Sequence, residues 1–566
     1  MCGIFTILNN DNIPFKTIEN SFMKGQRRGP EFSSINTIFK SIMGFHRLAI
    51  NGLNETSNQP LIINDITLIC NGEIFNYKEL YEMISVVPTT DSDCEIIIHL
   101  YVKYGIEQTL HMLDGEFAFI LLDNRLLDNR MIDNRMYIAR DPYGIRPLYC
   151  LNPVHEDQVP IYGFASELKC LHDIYNLNPS NYTIQPFTPG TYSEFKLSNL
   201  VNSLWSPIHN TPYFIPTFSY SSINTDIYSG VSHHLYNAVI KRCTNSERPI
   251  ACLLSGGLDS SLITALTNHY YKTIHYPQPL ETYSIGLSGS EDLKYARIVA
   301  DYLGTKHTEI IVTESEMFDA IPDVIYAIES YDTTTVRASI GNYLLGKYIA
   351  KNSEAKVILN GDGSDEVCGG YIYMNKCPDN VEFDKEIRRL LKDIYMFDVL
   401  RSDKSISSHG LEPRTPFLDR SFVNYYLSIP IHFRNHNNEK TMEKFILRNS
   451  FSKERFTNVD GKQLLPDEIL WRKKEAFSDG VSGKGRSLFN ILQDHISLHL
   501  NMEFRPDHSF TPSIDTEKYY YKMVFDQFYP HCNHLVPYFW MPKYMNATDP
   551  SARTLEIYEK TDLEYV

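Results

Sequence analysis

The stretch Ile250-Ala251-Cys252-Leu253-Leu254-Ser255-Gly256-Gly257-Leu258-Asp259-Ser260-Ser261 decides how the chain is read. Residues 250–254 form a short apolar run, the signature of a buried strand, and residues 262–270 after the polar turn follow a helical apolar period. Strand, glycine turn and helix together aim backbone N–H groups and a helix N-terminus at one anion. Gly256 and Gly257 lack the side chains that would keep backbone away from phosphate oxygens. Ser255, Ser260 and Ser261 add hydroxyl donors, and Asp259 is placed to reach a phosphate-bound Mg²⁺. No lysine follows the glycines, so this is not the loop that grips a γ-phosphate.

Working outward, strand–loop–helix units recur. Thr282-Tyr283-Ser284-Ile285-Gly286-Leu287 reads as a second buried strand, and a helix runs on to about Gly304. Val357-Ile358-Leu359-Asn360 leads into Gly361-Asp362-Gly363-Ser364-Asp365-Glu366. This repetition predicts a parallel, doubly wound α/β sheet, with ligands at the carboxyl ends of its strands. The third glycine of a dinucleotide fingerprint is replaced by Glu366, and the carboxylates there suit Mg²⁺ or the poising of a nucleophile.

Composition bounds the rest. A chain of 566 residues exceeds what one core usually holds, so two domains are expected. A net charge of −16 argues against nucleic-acid binding as the main role. No apolar run approaches the ~20 residues of a membrane span, and Met1-Cys2-Gly3-Ile4-Phe5 lacks the basic start of a signal peptide. Ten scattered cysteines without a C-x-x-C pair suggest free thiols in a reducing, cytoplasmic setting. In that setting the sequons at Asn54 and Asn546 are chance matches.

The N-terminal part carries a second chemistry. Cys2 becomes terminal once Met1 is removed, and an α-amine with a reference pKa of about 7.7–8.0 can then serve as its own general base. Further motifs follow in order: Arg27-Arg28-Gly29-Pro30, Phe45-His46-Arg47-Leu48-Ala49-Ile50, Asn71-Gly72-Glu73-Ile74-Phe75-Asn76-Tyr77, Ser92-Asp93-Cys94-Glu95, Leu113-Asp114-Gly115-Glu116-Phe117 and Arg140-Asp141-Pro142-Tyr143-Gly144-Ile145-Arg146-Pro147. With Cys2-Gly3-Ile4, residues 2–190 resemble a class II glutamine amidotransferase domain, an N-terminal-nucleophile hydrolase of α/β/β/α sandwich fold. The resemblance implies Cys2 as nucleophile and an oxyanion hole from the Asn71 side chain and the Gly72 N–H. It also implies glutamine binding by Arg47 (α-carboxylate fork), the backbone of Leu48, Ala49, Ile50 and Asn51, and Glu73 with Asp93 for the α-ammonium. Gly72 is expected to let backbone approach the substrate. Where the family has His before Arg-Gly-Pro this chain has Arg27, at a position expected in the loop over the site.

The Ser-Gly-Gly-x-Asp-Ser-Ser loop resembles the pyrophosphate loop of ATP pyrophosphatases. Joined to Tyr331-Asp332-Thr333-Thr334-Thr335-Val336-Arg337, Leu411-Glu412-Pro413-Arg414-Thr415-Pro416-Phe417-Leu418-Asp419, Trp471-Arg472-Lys473-Lys474-Glu475-Ala476-Phe477 and the tail from Trp540 to Thr554, it resembles glutamine-hydrolysing asparagine synthetases of the eukaryotic kind. That resemblance implies synthesis of L-asparagine from L-aspartate, ATP and glutamine-derived ammonia through a β-aspartyl adenylate. ATP would contact Leu253, Ser255, Gly256, Gly257, Asp259, Ser260, Ser261, Ile285, Asn360 and Gly361. Mg²⁺ would sit on Asp259 and Asp365. Lys474 would neutralise the leaving pyrophosphate, and Arg337, Asp398 and Arg401 would line or support the site. Asp362 stands where the family has Glu, to place the adenylate for ammonia; either the loop has shifted to compensate or that step is slow. A rival reading, a regulatory nucleotide-binding relative without turnover, rests on Asp362 and Arg27. A homodimer is common for such enzymes.

Expected limits are 2–190 for the amidotransferase domain, 191–225 for a linker, 226–545 for the synthetase domain and 546–566 for a tail. Residues 121–135 repeat an apolar-apolar-Asp-Asn-Arg unit between two apolar runs, which predicts an expanded hairpin tip.

Overall fold

The computed structural model describes residues 1–125, 134–155, 159–198, 203–215, 226–436, 442–475, 477–483, 486–503, 515–547 and 549–551. The tip of the Asp-Asn-Arg repeat, the later part of the expected linker, Thr548 of the Asn546 sequon and the tail from residue 552 lie outside them.

The first half stacks two six-stranded sheets. One contains β1 (Gly3–Leu8), β2 (Phe32–Ile38), β3 (Ser41–Arg47), β8 (Tyr149–Pro153), β9 (Tyr162–Ala165) and β10 (Tyr182–Pro186), in the order β10-β8-β9-β1-β3-β2. The other contains β4 (Leu61–Ile63), β5 (Ile66–Ile74), β6 (Gly115–Asp123), β7 (Arg135–Arg140), β11 (Thr191–Leu197) and β12 (Trp205–Pro212), in the order β12-β11-β7-β6-β5-β4. Alternation along the strands explains the layers. Ile4 and Leu8 of β1 meet Ile69, Ala118, Ile120 and Leu122 between the sheets, whereas Phe5 and Ile7 face Ile18, Phe22, Leu171 and Ile174 of the outer helices Phe15–Met23 and Lys169–Leu177. On the other side Leu68, Phe117 and Phe119 face helices Tyr77–Ile84 and Ile96–Met112. The sandwich is thus α/β/β/α, as expected.

The hairpin read into the repeat is present, with Asp123 of β6 opposite Arg135 of β7. Residue 191, expected to begin a linker, instead begins a strand: β11 pairs with β7, and β12 pairs with β11, carrying the sheet to Pro212. Most of β12 after the buried Trp205 is exposed, so its Asn, Pro and His residues read as linker although their backbone is laddered.

The second half is built on a five-stranded parallel sheet of β13 (Ile250–Leu253), β14 (Glu281–Leu287), β15 (Lys306–Val312), β16 (Val357–Leu359) and β17 (Glu412–Arg414), in the order β15-β14-β13-β16-β17. The chain winds outward from β13 in one direction through β14 and β15, then returns to β16 on its other side. That reversal opens a crevice at the carboxyl ends of β13 and β16, where a doubly wound sheet binds ligand. Pro413 is tolerated in β17 because β17 is an edge strand. Helix Ile227–Thr244, capped by the Asp226 side chain, joins the halves.

Candidate active sites

Cys2 lies at the start of β1, between the two stacked sheets. Its backbone N–H donates to Asn71 Oδ1 of β5 at 3.0 Å, and its thiol lies 3.7 Å from the Leu48 carbonyl. With Met1 in place, desolvation pushes the thiol up to about 11. With its oxygen on Cys2, the Asn71 amide directs Nδ2 as a donor, held loosely by Ser166 Oγ at 3.4 Å. Asp93 is buried, accepts from the Ile74 N–H at 2.6 Å and is raised to about 6 by burial.

Several expectations need correction here. Both terminal nitrogens of Arg47 hold the loop after β3: Nη1 donates to Asn54 O at 2.9 Å and Asn58 Oδ1 at 2.7 Å, and Nη2 donates to the carbonyls of Asn51 and Gly52. The guanidinium shapes the site wall and is not presented as an open fork. Glu73 turns toward the second half of the chain, accepting from Asn51 Nδ2 at 2.6 Å and Asn245 Nδ2 at 3.0 Å, with Arg414 Nη2 at 3.3 Å. Gly72 is required by its neighbours, since a Cβ there would lie 2.4 Å from Glu116 O of the adjacent strand. Ala49 is fixed through its backbone to Glu31 and Arg248, and Ile50 is buried in the core between the halves. Arg27 is exposed, and it is Arg28 that turns inward.

The second site is a cavity of about 220 Å³ at the ends of β13 and β16, lined among others by Leu253, Ser255, Gly257, Asp259, Ile285 and Asn360. Ser260, Gly361, Asp362, Asp365 and Lys474 also reach its wall. The glycine loop is shaped by its own hydroxyls: Ser260 Oγ accepts from Ser255 N at 3.2 Å and lies 3.0 Å from Ser255 Oγ. Helix Leu258–Thr273 starts at this loop, directing its first N–H groups at the cavity.

The two glycines have different reasons. Gly257 has open space where a Cβ would be, apart from Ser255 Oγ at 3.4 Å. Gly256 sits at φ +72°, and a Cβ would lie 2.5 Å from the backbone of Tyr295 and Ala296. Gly256 thus serves helix packing, and it does not line the cavity. Ser261 is fully buried beneath the loop and Arg337 is likewise off the wall. Arg337 instead binds Glu517 and Asp549, tying the C-terminal segment down.

Asp259 and Asp365 converge on one cation that sequence reading missed. Lys444 Nζ lies 2.7 Å from Asp259 Oδ1 and 2.6 Å from Asp365 Oδ1, and Lys474 Nζ lies 2.6 Å from Asp365 Oδ2. Burial raises the Asp365 carboxyl, but the two ammonium groups outweigh it and hold the group well below the usual range. Lys444 adopts a left-handed backbone at φ +57°, and Gly370 admits its stem, since a Cβ there would fall 1.8 Å from Lys444 Cε. In sequence Lys444 sits in Glu439-Lys440-Thr441-Met442-Glu443-Lys444, which reads as a solvated charged run. Asp362 reaches the cavity with Oδ1 3.4 Å from Arg401 Nη2, and Arg401 is paired with Asp398. Burial raises the Asp362 carboxyl and Arg401 opposes that.

Two family models cover the chain: a glutamine amidotransferase domain matches residues 1–204, and asparagine synthase matches 230–383 and 375–548. The asparagine synthetase [glutamine-hydrolyzing] of Gallus gallus is 40% identical over 585 residues, covering 99% of both chains. Those of Rattus norvegicus and Homo sapiens are 38% identical over 587 and 585 residues, covering 99% of this chain and 100% and 99% of theirs. The chain belongs to the glutamine-hydrolysing asparagine synthetase family.

In this family member the two sites share a buried interface of charges. Arg146 of the first half contacts Glu116 at 3.0 Å, Asp403 at 3.4 Å and the Pro413 carbonyl at 3.0 Å. Arg242 joins Glu116 at 2.9 Å to Asp419 at 3.1 Å. Arg414 of β17 donates to the carbonyls of Arg242 and Asn245 and faces Glu73. Beside these charges runs an apolar cluster that includes Leu48, Ile50 and Ile145 of the first half and Leu254, Leu258 and Val367 of the second. All ten cysteines are unbridged, and no helix among the described residues is long and apolar enough to cross a membrane.

Proposed function

We propose that the chain makes L-asparagine from L-aspartate, using ATP and ammonia released from glutamine at Cys2. The observation that carries this reading is the pairing of a thiol under a strand-borne amide with a cavity whose two carboxylates and two lysines stand at the sheet's reversal point. Cys2 attacks the glutamine amide as its proton passes to the α-amine left when Met1 is removed, and Asn71 Nδ2 with the Gly72 N–H receives the oxyanion. Asp93, neutral or charged near pH 6, gains charge when it meets an α-ammonium. Glu73 supports this group from behind, and Arg47 fixes the loop that closes the carboxylate end.

In the second site Leu253 and Ile285 offer apolar surface to a base, and the loop of residues 255–260 offers hydroxyls and N–H groups to phosphates. Asp259 and Asp365 fit Mg²⁺: they are hard oxygen donors near enough to share one ammonium, and Mg²⁺ commonly takes one or two carboxylates plus phosphate oxygens. Bound there, it would neutralise charge on the phosphates. Lys444 and Lys474 supply fixed positive charge toward the departing pyrophosphate, and Asp362, steadied by Arg401, faces the incoming ammonia. Ammonia passes unprotonated along the apolar cluster of Leu48, Ile50, Leu254 and Leu258. The geometry of Asp362 lends nothing to a relative without turnover. A cytoplasmic homodimer is the setting we infer.

The test supplies aspartate, MgATP and either glutamine or ammonium, and follows AMP and asparagine. Formation of ADP, or no dependence on aspartate, would overturn the reading. Cys2→Ala is expected to abolish glutamine use while ammonium use survives.

A further inference from the structure

Asp403 belongs to the second half of the chain, on helix Asp398–Ser407, yet its carboxylate is engaged by the first. Arg28 Nη1 donates to Asp403 Oδ1 at 2.7 Å, and Arg28 Nη2 donates to Oδ2 at 3.3 Å. Ser407, one turn further on, accepts from Arg28 Nη1 at 2.8 Å. Glu167 takes the same nitrogen at 2.7 Å, and Arg28 Nε donates to the carbonyl of Cys2 at 3.0 Å. Arg28, Asp403 and Ser407 are each 2% exposed or less, so these bonds are unscreened by water.

We propose that Asp403 is a positioning residue for glutamine hydrolysis, contributed by the synthetase half and acting on Cys2 through Arg28. It touches no substrate. It fixes the guanidinium that fixes the Cys2 carbonyl, and so the direction in which the thiol leaves β1. Asp403 is chemically suited to this, since a carboxylate presents two acceptors to a planar fork and sets its rotation as well as its distance.

The same helix carries Asp398 and Arg401 at its other end, and Arg401 faces Asp362 in the ATP cavity. Asp403 lies two residues beyond Arg401 on the same rigid helix. The residue that aims the thiol is thus borne by the element that forms part of the cavity wall.

The inference rests on the two-site reading above, and the experiment separates them. Full-length enzyme is assayed with glutamine and with ammonium as nitrogen source, as wild type, Asp403→Asn, Asp403→Glu and Ser407→Ala. Wild type using neither source would strike the two-site reading alone. Given an active wild type, Asp403→Asn is expected to lower glutamine-dependent asparagine formation and glutamate release by about 10²-fold, the scale of a misplaced reacting group. Ammonium-dependent synthesis should stay within about twofold, and Asp403→Glu should recover part of the glutamine activity. Ser407→Ala, which removes one acceptor and no charge, should cost about threefold to tenfold with the same selectivity. Equal losses from both nitrogen sources, or no loss from either, would overturn the proposal. If Asp403→Asn fails to fold, Ser407→Ala decides: an unchanged ratio of the two activities refutes it, and a selective loss with glutamine supports it.

Discussion

Lys444 brings together backbone strain and charge. Its left-handed φ of +57° is unfavourable for a residue with a Cβ, and costs of this kind, of order 1–3 kcal/mol, persist where the surroundings hold the residue in place. Here Gly370 opens the way and Asp259 and Asp365 hold the ammonium, so the strain is offset by ion pairing at the point where pyrophosphate would depart. Lys444→Met is therefore expected to lower pyrophosphate release by about 10²–10³-fold, the scale of losing one fixed electrostatic partner. Removing one of the two cations beside Asp365 also favours its neutral form, raising its pKa. The acid limb of the rate profile in Lys444→Met should accordingly move to higher pH, measured as kcat against pH with saturating ATP. An unmoved limb would mean that Lys474 alone sets the charge of Asp365.

At the scale of the element, the glycine loop after β13 separates two roles that look alike in sequence. Gly256→Ala would push a Cβ into the backbone of helix Glu291–Leu303 while holding a positive φ, so a stability loss of at least about 1–3 kcal/mol in urea unfolding is expected. Gly257→Ala has room, so stability should change little, while the methyl group faces the cavity and should raise the KM for ATP. The reverse pattern would mean the loop docks its phosphates through Gly256. This loop and the one after β16 were legible because Gly, Ser and Asp crowd where two apolar runs end. The edge strands of the parallel sheet and the β12 edge of the first half were not. β17 is three residues long and contains Pro413, β15 is mostly half-exposed, and β12 shows water most of its length. β12 and β15 lack the two-sided burial that makes a strand visible as an apolar run, whereas β17 is fully buried but reads Glu-Pro-Arg, its charges matched by ion pairs. Lys444 was invisible for the converse reason. Its burial depends on Asp259 and Asp365, residues far away in sequence, and nothing in its own neighbourhood distinguishes it from a surface lysine.

Across the whole molecule, the halves meet through buried charges as well as through apolar packing. Glu167 illustrates the balance: burial opposes its charge, but Lys169, Lys404 and Arg28 outweigh burial and hold its pKa below the usual carboxylate range. A folded pKa below the unfolded one means that its stabilisation is present in full above the unfolded value of 4.5 and is lost as pH falls toward the folded value. Unfolding free energy from urea titrations should thus hold level near neutrality and decline below about pH 5. Glu167→Gln should be less stable at pH 7 by about 3–5 kcal/mol, because three cations lose a buried partner, and its decline in acid should be shallower. An unchanged acid slope would assign that decline to other carboxylates.

The placement of Glu412 and Arg414 on the edge strand β17 has a consequence for modularity. Arg414 completes the surroundings of Glu73 in the amidotransferase half, though more than 300 residues separate the two. A graft cut at the segment between β12 and helix Ile227–Thr244 would carry a thiol site whose inner carboxylate has lost its counter-charge. A laboratory chimera that keeps the thiol site intact should therefore carry β17 and helix Asp398–Ser407 along with the amidotransferase half, so the two sites are better exchanged as a pair than as separate domains.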